Sequence, residues 1–190
     1  MPILVDLDGT LFDTFDAHYN SYKDVLVDYG FLLHEELFRQ ECFGHSSRAF
    51  LSGLGFDTEA CKEIISKKRA SFPSHLSKVV IHADLHDFLH NVKDQDHIAL
   101  FTNAQRETVD LLFSQFGVSN LFKSIHTIED FHISKPSHES FEFVLKQIPT
   151  GEVFLIDDMQ ENLLQCRNFG VIPIDINQIV HGFNLTLKGP

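Results

Sequence analysis

The chain is short of three things: positive charge, cysteine and long apolar runs. Against 27 acidic residues it carries only 15 Lys and Arg, for a formal net charge of −12. Nucleic-acid polymers and anionic membrane surfaces are bound through clustered Lys and Arg, so neither is expected as a partner. A small anionic substrate stays compatible, because its charge is met locally. The three cysteines, Cys42, Cys61 and Cys166, are odd in number, and their spacings fit neither a disulfide framework nor a zinc site. A reducing compartment is the expected home. No apolar stretch approaches the roughly 20 residues that a membrane helix needs. The first residues carry no basic segment and their apolar run is broken by Asp6, so a signal peptide is not expected and a cytoplasmic location is. Internal repeats and low-complexity segments are also absent.

What is present begins almost at once. Ile3-Leu4-Val5-Asp6-Leu7-Asp8-Gly9 is an apolar run of strand character ending in two aspartates two positions apart and a glycine. Residues at i and i+2 point the same way along an extended chain, and once the strand ends at Asp6 the chain can turn, so both carboxylates can converge on one bound group. Gly9 permits a close approach of backbone to ligand. Asp-Gly is also a common turn dipeptide, and the pair alone does not define a site. Three further segments follow, each near an apolar run: Phe101-Thr102-Asn103-Ala104, Ile133-Ser134-Lys135-Pro136 and Leu155-Ile156-Asp157-Asp158.

At 190 residues and 43% hydrophobic composition, the chain is long enough for one sizeable core or a core with an inserted subdomain. After residue 95 strands and helices alternate, the pattern of a parallel sheet covered on both faces. The expected strands are 3–5, 98–101, 124–128, 153–156 and 171–174. The expected helices carry Val109, Leu112, Phe113 and Phe116 up to Gly117, then Phe141, Val144, Leu145 and Ile148, then 161–168 up to Gly170. Between Thr14 and about Ile81 the pattern turns helical, with Tyr19, Tyr22, Val25, Leu26 and Tyr29 as one apolar stripe and Leu51 and Leu54 on another. The expected fold is an α/β, doubly wound parallel sheet with a Rossmann-like core at 1–13 and 85–190, and a small helical subdomain inserted at 14–84.

Charge counting adds a cofactor. Each like-charge pair at contact distance costs about 4 kcal/mol at an effective dielectric of 20. Were Asp6, Asp157 and Asp158 to gather around Lys135 and a small anionic substrate, that one ammonium would be too little. A hard divalent ion is then implied, and Mg²⁺ suits carboxylate oxygens.

Taken together, the four segments resemble the haloacid dehalogenase superfamily of phosphohydrolases, whose motifs are an Asp-x-Asp pair, a Ser or Thr, a Lys and a final acidic pair. All four occur here in order, from Ile3 to about Ile176, and only the tail from Asn177 lies outside the resemblance. The resemblance implies that Asp6 is a nucleophile forming an aspartyl-phosphate. It implies that Asp8 is the acid that protonates the leaving alkoxide and then the base for water. Thr102 and the Asn103 backbone N–H would hold phosphate oxygens, and Lys135 would neutralise charge on the nucleophile and the transferring group. Asp158 would ligate Mg²⁺ together with Asp6 and the Asp8 carbonyl, with Asp157 behind them. The inserted helices would form a cap over the site. In that cap, His18 stands twelve positions after Asp6, where related phosphatases and mutases often place a histidine, and Gly44-His45-Ser46-Ser47-Arg48 resembles their substrate-specificity loop.

The implied activity is hydrolysis of a small phosphorylated metabolite. An acid at Asp8 disfavours the dehalogenase branch, because a halide leaves without a proton. A cap loop with Arg48 and no lysine disfavours the phosphonate-cleaving branch. The nearest relations look like phosphoglycolate phosphatases, sugar-phosphate phosphatases and pyrimidine nucleotidases. A phosphosugar mutase, or a non-catalytic interaction protein on this fold, is the alternative. A phosphorylation-regulated receiver domain places its acidic pair first, whereas here it is last. Bland readings stand beside these: Thr102 as a helix N-cap, Lys135 as an exposed turn lysine, Asp157 and Asp158 as a helix cap. His82, His86 and His90 recur at i, i+4, i+8 and read as a polar helix face. Lys62, Lys67, Lys68 and Arg69 read as a solvated one.

Overall fold

The computed structural model describes residues 1–180. Along the chain, strand β1 (Pro2–Val5) is followed by β2 (Phe12–Asp13) and four helices, α1 (Phe15–Val27), α2 (Glu35–Glu41), α3 (Ser47–Gly53) and α4 (Thr58–Ser71). Then come β3 (Val80–Ile81), α5 (Ala83–Val92), β4 (His97–Phe101), α6 (Arg106–Phe116), β5 (Ser124–His126), α7 (Ile128–Phe131) and α8 (His138–Gln147). The last elements are β6 (Phe154–Asp157), α9 (Gln160–Cys166), β7 (Ile172–Asp175) and α10 (Ile176–Val180). Two compact units result, one of Met1–Phe12 with the described residues from Ile81 onward, the other Asp13–Val80. The tail from Asn177 is helical to Val180, and residues 181–190, which the sequence reading placed in the core segment, lie outside the described residues. No described helix is long and apolar enough to cross a membrane.

The first unit is an α/β, Rossmann-like fold built on a five-stranded parallel sheet in the order β5-β4-β1-β6-β7. Strands buried on both faces must be apolar throughout, because helices cover each side. Ile3, Leu4, Val5, Ile98, Ala99, Leu100, Leu155 and Ile156 are accordingly all fully buried. Leu4, Ala99, Phe101 and Leu155 pack with Phe131, Phe141, Val144, Leu163 and Cys166 from α7, α8 and α9. The alternate strand positions point to the other face. Phe101 meets Phe131 and Phe141 edge to face, at 5.3 and 5.4 Å between ring centroids, and truncating such a ring to Ala costs about 3–5 kcal/mol.

Helix ends follow local chemistry. Gly117 closes α6 in the left-handed conformation, φ 68, which glycine adopts without a Cβ penalty. The strand expected to run to residue 128 stops at His126. There Thr127 and Asp130 form a capping box, with the Thr127 N–H donating to Asp130 Oδ2 at 2.7 Å, and this begins α7 instead. The helix expected over 161–168 ends at Cys166 and tightens into a 3₁₀ turn, Arg167–Phe169, before Gly170.

The second unit is helical. Its core joins Tyr22, Val25 and Leu26 of α1 with Phe38 of α2, Leu51 of α3 and Ile64 of α4, so the tyrosine stripe of α1 and the stripe carrying Leu51 and Leu54 pack into one cluster. Ser46 and Asp57 cap α3 and α4 by accepting from the N–H groups of Ala49 and Ala60.

The strand order reverses at β1. β4 and β5 extend the sheet on one side of it, β6 and β7 on the other. In open α/β sheets the crevice beyond the carboxyl ends of the strands at such a reversal is where ligands bind.

Candidate active site

Val5 is level with Leu100 in β4 and with Ile156 in β6, so Asp6 and Asp157 leave the sheet side by side. The Asp6 N–H donates to the Ile156 carbonyl at 3.0 Å and continues the ladder one residue further. The chain then turns sharply: Leu11 and Phe12 N–H both donate to the Leu7 carbonyl at 3.0 Å, and Gly9 N–H to the Phe12 carbonyl at 2.8 Å. Gly9 has φ 83, and a Cβ there would lie 2.8 Å from Asp158 Cγ. Both the backbone conformation and the space demand glycine.

Carboxylate oxygens of Asp6, Asp157 and Asp158 lie within 4.8 Å of one another, and among the described residues this is the only group of three or more potential metal-ligating side chains. Lys135 reaches into it from the segment between α7 and α8. Its Nζ donates to Asp6 Oδ1 at 2.8 Å and to Asp157 Oδ2 at 2.9 Å, with the lysine side chain 1% exposed. Burial alone favours the neutral amine, but Asp157 and Asp6 outweigh it and hold the Lys135 ammonium above its ordinary value. Asp6 is pushed toward its neutral form: burial raises its carboxyl well above the usual range, Lys135 opposes this, and Asp157 and Asp158 add to it. Asp158 is pushed up to about 6, by burial first and then by Asp157, against the hydrogen bond that the Thr10 hydroxyl donates at 3.0 Å. One ammonium therefore serves three carboxylates, and the surplus negative charge is what a cation would relieve.

The donor set suits a hard cation, because every potential ligand atom is a carboxylate oxygen. Asp157 is the least available of the three. It is fully buried, and its oxygens already accept from Lys135 Nζ, from Asn162 Nδ2 at 2.9 Å to each, and from the Met159 N–H at 2.9 Å. Asp6 and Asp158 remain as the side chains that could hold a metal. The Asp8 side chain stands outside the cluster and is half-buried.

Thr102, just past β4, is 1% exposed. Its N–H donates to the His126 carbonyl and its hydroxyl accepts from the Ala104 N–H, each at 3.0 Å. It does not cap α6, whose N-cap is Gln105. Asn103 follows at the surface, and its side chain bonds the Lys135 backbone. Lys135 is thus no exposed turn lysine. Asp157 does bind the backbone near the start of α9, as a helix-capping reading requires, but it also binds Lys135.

His18, His45 and Arg48 lie in the helical unit. Lys68 Nζ donates to His18 Nδ1 at 2.6 Å, and the His18 ring stacks on Phe72 at 4.7 Å. His45 and Arg48 are exposed, on the turn after α2 and in the first turn of α3. Lys68 departs from the solvated face expected for it. It follows Cys61 and Ile64 at i+7 and i+4 on the inward side of α4, and its Nζ lies 5.4 and 5.3 Å from the ring centres of Tyr22 and Phe72. His82 is the N-cap residue of α5, and its Nδ1–H donates to the Thr10 carbonyl at 2.6 Å. Three supporting residues escaped the sequence reading: Thr10, Asn162 and the side chain of Asn103.

The sequence matches the family described as haloacid dehalogenase-like hydrolase over residues 3–175. It is 26% identical over 174 residues to the pyrophosphatase PpaX of Bacillus velezensis, covering 88% of this chain and 79% of the relative. The fold superposes on a candidate phosphoglycolate phosphatase of Lactobacillus plantarum with a TM-score of 0.82 at 14% identity, over 99% of this chain and 91% of the other. It superposes on CbbY of Rhodobacter sphaeroides, solved in complex with phosphate, with a TM-score of 0.78 at 18% identity, over 99% and 89%. For YfnB of Bacillus subtilis, solved bound to magnesium, the TM-score is 0.71 at 19% identity, over 100% and 90%. The parallel sheet with acids at its switch point is an α/β, Rossmann-like core. The chain belongs to the haloacid dehalogenase-like hydrolases.

Proposed function

We propose that the protein is a Mg²⁺-dependent phosphatase that hydrolyses a small phosphorylated metabolite through an aspartyl-phosphate on Asp6. The observation that carries this reading is the shared Lys135 ammonium, 2.8 Å from Asp6 and 2.9 Å from Asp157, beside an Asp158 that faces the same space. A carboxylate held at the switch point of the sheet, with its charge partly met, supports the reading of Asp6 as nucleophile. The names of the relatives, a pyrophosphatase among them, and of neighbours solved with phosphate or magnesium support the same class.

In this reading Asp6 attacks phosphorus while the ester bond to the leaving oxygen breaks. Asp8 gives that oxygen its proton. Water then attacks the aspartyl-phosphate as Asp8, now a carboxylate, takes the water proton, and inorganic phosphate leaves. Thr102 and the Asn103 backbone N–H hold the phosphoryl oxygens, and Lys135 stabilises charge that develops during transfer. Asp6, Asp158 and the Asp8 carbonyl would hold Mg²⁺, with Asp157 kept behind them by Lys135 and Asn162. When bound, the ion supplies positive charge to phosphate and nucleophile. By the resemblance the helical unit would serve as cap, with Arg48 or His45 contacting the part of the substrate remote from the phosphate and His18 as a further substrate-binding residue.

The test is hydrolysis of p-nitrophenyl phosphate with Mg²⁺ and with excess EDTA, followed by a screen of several dozen phosphorylated metabolites, inorganic pyrophosphate included. Activity is expected only with metal, and Asp6→Asn should abolish it in a folded protein. Undiminished turnover in EDTA, or a substantial residual rate in Asp6→Asn, overturns the reading. Net isomerisation of a sugar phosphate in place of phosphate release would assign a mutase instead.

A further inference from the structure

The segment that carries Lys135 belongs to no helix or strand: it runs between α7 and α8. Its lysine nevertheless has to place one nitrogen within hydrogen-bond distance of two separate carboxylates. A lysine side chain has four rotatable carbons and little intrinsic stiffness, so the precision has to come from where its main chain is held. That anchor is the side chain of Asn103. Its Oδ1 accepts from the Lys135 N–H at 2.7 Å, and its Nδ2 donates to the Lys135 carbonyl at 3.2 Å. One amide satisfies both main-chain polar groups of a single residue, as a neighbouring strand would. Asn103 is itself fixed, because Thr102 is bonded into the end of the sheet at His126 and accepts from Ala104.

We infer that the Asn103 side chain is a positioning residue, clamping the Lys135 backbone so that its ammonium bridges Asp6 and Asp157. The inference rests on the proposed phosphatase reading for its kinetic consequence but not for its structural one. Asn103 joins the loop after β4 to the lysine segment. Two neutral hydrogen bonds near the surface contribute little stability individually. The consequence of losing them is therefore chiefly geometric. A catalytic group displaced by about 1 Å can lose on the order of 100-fold in rate.

The experiment compares Asn103→Ala and Asn103→Asp with wild type by two measurements. The first is steady-state hydrolysis of p-nitrophenyl phosphate with Mg²⁺. The second is reductive methylation of the folded protein, with Lys135 read by peptide mass spectrometry against the exposed Lys146, whose side chain is 70% exposed where that of Lys135 is 1%. Asn103→Ala should lower kcat by about 10- to 100-fold with KM moved by less than about threefold, and methylation of Lys135 should rise several-fold while that of Lys146 stays level. Asn103→Asp keeps an acceptor for the Lys135 N–H and loses the donor to its carbonyl. It should fall between the other two in both measurements, and it carries the test should the alanine variant fail to fold. Wild-type methylation of Lys135 in a folded variant overturns the clamp, as does a raised KM at unchanged kcat, which would make Asn103 a substrate contact only. Should the wild-type protein hydrolyse no phosphate ester, the proposed function fails, and the methylation measurement still decides the clamp.

Discussion

Lys135 Nζ sits 2.8 Å from Asp6 Oδ1 although 129 positions of sequence separate them. The same nitrogen lies 2.9 Å from Asp157 Oδ2, and the lysine and both aspartates are buried. A buried ammonium between two carboxylates is a poor source of net stability, because desolvation consumes most of the attraction. Removing one partner is another matter, since the charges left behind stay buried and uncompensated. The arrangement is therefore better explained by the chemistry it poises than by the fold it supports.

Lys135→Ala should accordingly lose about 3–5 kcal/mol of stability in metal-free buffer, the cost of breaking a buried ion pair. It should also lose at least about 100-fold in kcat, the scale found when one preorganised charge-stabilising group is removed. Urea melts and initial rates on the same preparation check both. A stability change below about 1 kcal/mol, the range of exposed pairs, would mean that solvent reaches the site and meets its charge.

Metal should stabilise the folded chain and leave the unfolded chain alone. With Asp6, Asp157 and Asp158 sharing one ammonium, binding Mg²⁺ should raise the melting temperature, by an amount equivalent to about 2.7 kcal/mol at 100 times its Kd. The rise should disappear in Asp158→Asn, which removes one charged ligand while leaving the Lys135 bridge intact. Differential scanning fluorimetry over a Mg²⁺ titration measures it. Equal shifts in wild type and variant would place the binding elsewhere.

Much of this site could be read before any coordinates, and the reasons are local. Asp6, Asp157 and Thr102 end apolar runs of four or five residues, so strand periodicity and the family motifs point to the same positions. Asn162 and Thr10 were not legible, because a polar residue in the first turn of a helix or beside a glycine looks like a cap. Only the tertiary structure brings Asn162 Nδ2 to both Asp157 oxygens. The overlong expectation for β5 has a different cause. Ile128 is apolar and extends the run from Ser124 on hydrophobicity alone, yet Thr127-Ile128-Glu129-Asp130 carries a helix-start pattern, and backbone capping overrides the apolar continuity. Lys68 was misplaced because charge suggested solvent, where the spacing from Cys61 and Ile64 pointed inward.

The pH dependence of stability should carry the mark of His126. The residue is 8% exposed, and its ring shares the Ser124 hydroxyl at 3.0 Å and lies edge-on to Phe143. Burial lowers its pKa below 6.5; Asp130 opposes this, and Arg106 and His97 add to it. With the folded value below the unfolded one, the unfolded chain takes up the proton first as pH falls. Stability contributed by the neutral ring is then present above about 6.5, the ordinary histidine value, and is lost below it. Between about pH 5.5 and 7.5, roughly one unit either side of that value, the urea midpoint should gain more on raising the pH in wild type than in His126→Gln, because the opposing titration of Asp158, pushed up to about 6, is common to both. An identical difference in both would assign the slope to other groups.

Asp8 separates acid catalysis from metal binding. The resemblance asks for its backbone carbonyl at the metal and its carboxyl at the leaving oxygen, and the side chain stands outside the Asp6, Asp157 and Asp158 cluster. Asp8→Asn keeps the carbonyl and the size of the side chain but can neither give a proton to an alkoxide nor take one from water. An alkyl phosphate leaves as a strongly basic alkoxide and needs that proton, whereas p-nitrophenolate departs with little help. General acid–base catalysis contributes about 10²- to 10⁴-fold, so kcat on the best alkyl phosphate from the screen should fall within that range and kcat on p-nitrophenyl phosphate by much less. The Mg²⁺-induced rise in melting temperature should be unchanged, because the carbonyl remains. A burst of p-nitrophenolate followed by a slow phase would show that the second role, activating water against the aspartyl-phosphate, has become limiting. Equal losses on both substrates without a burst, or a lost thermal response to Mg²⁺, would reassign Asp8 from proton transfer to the architecture of the metal site.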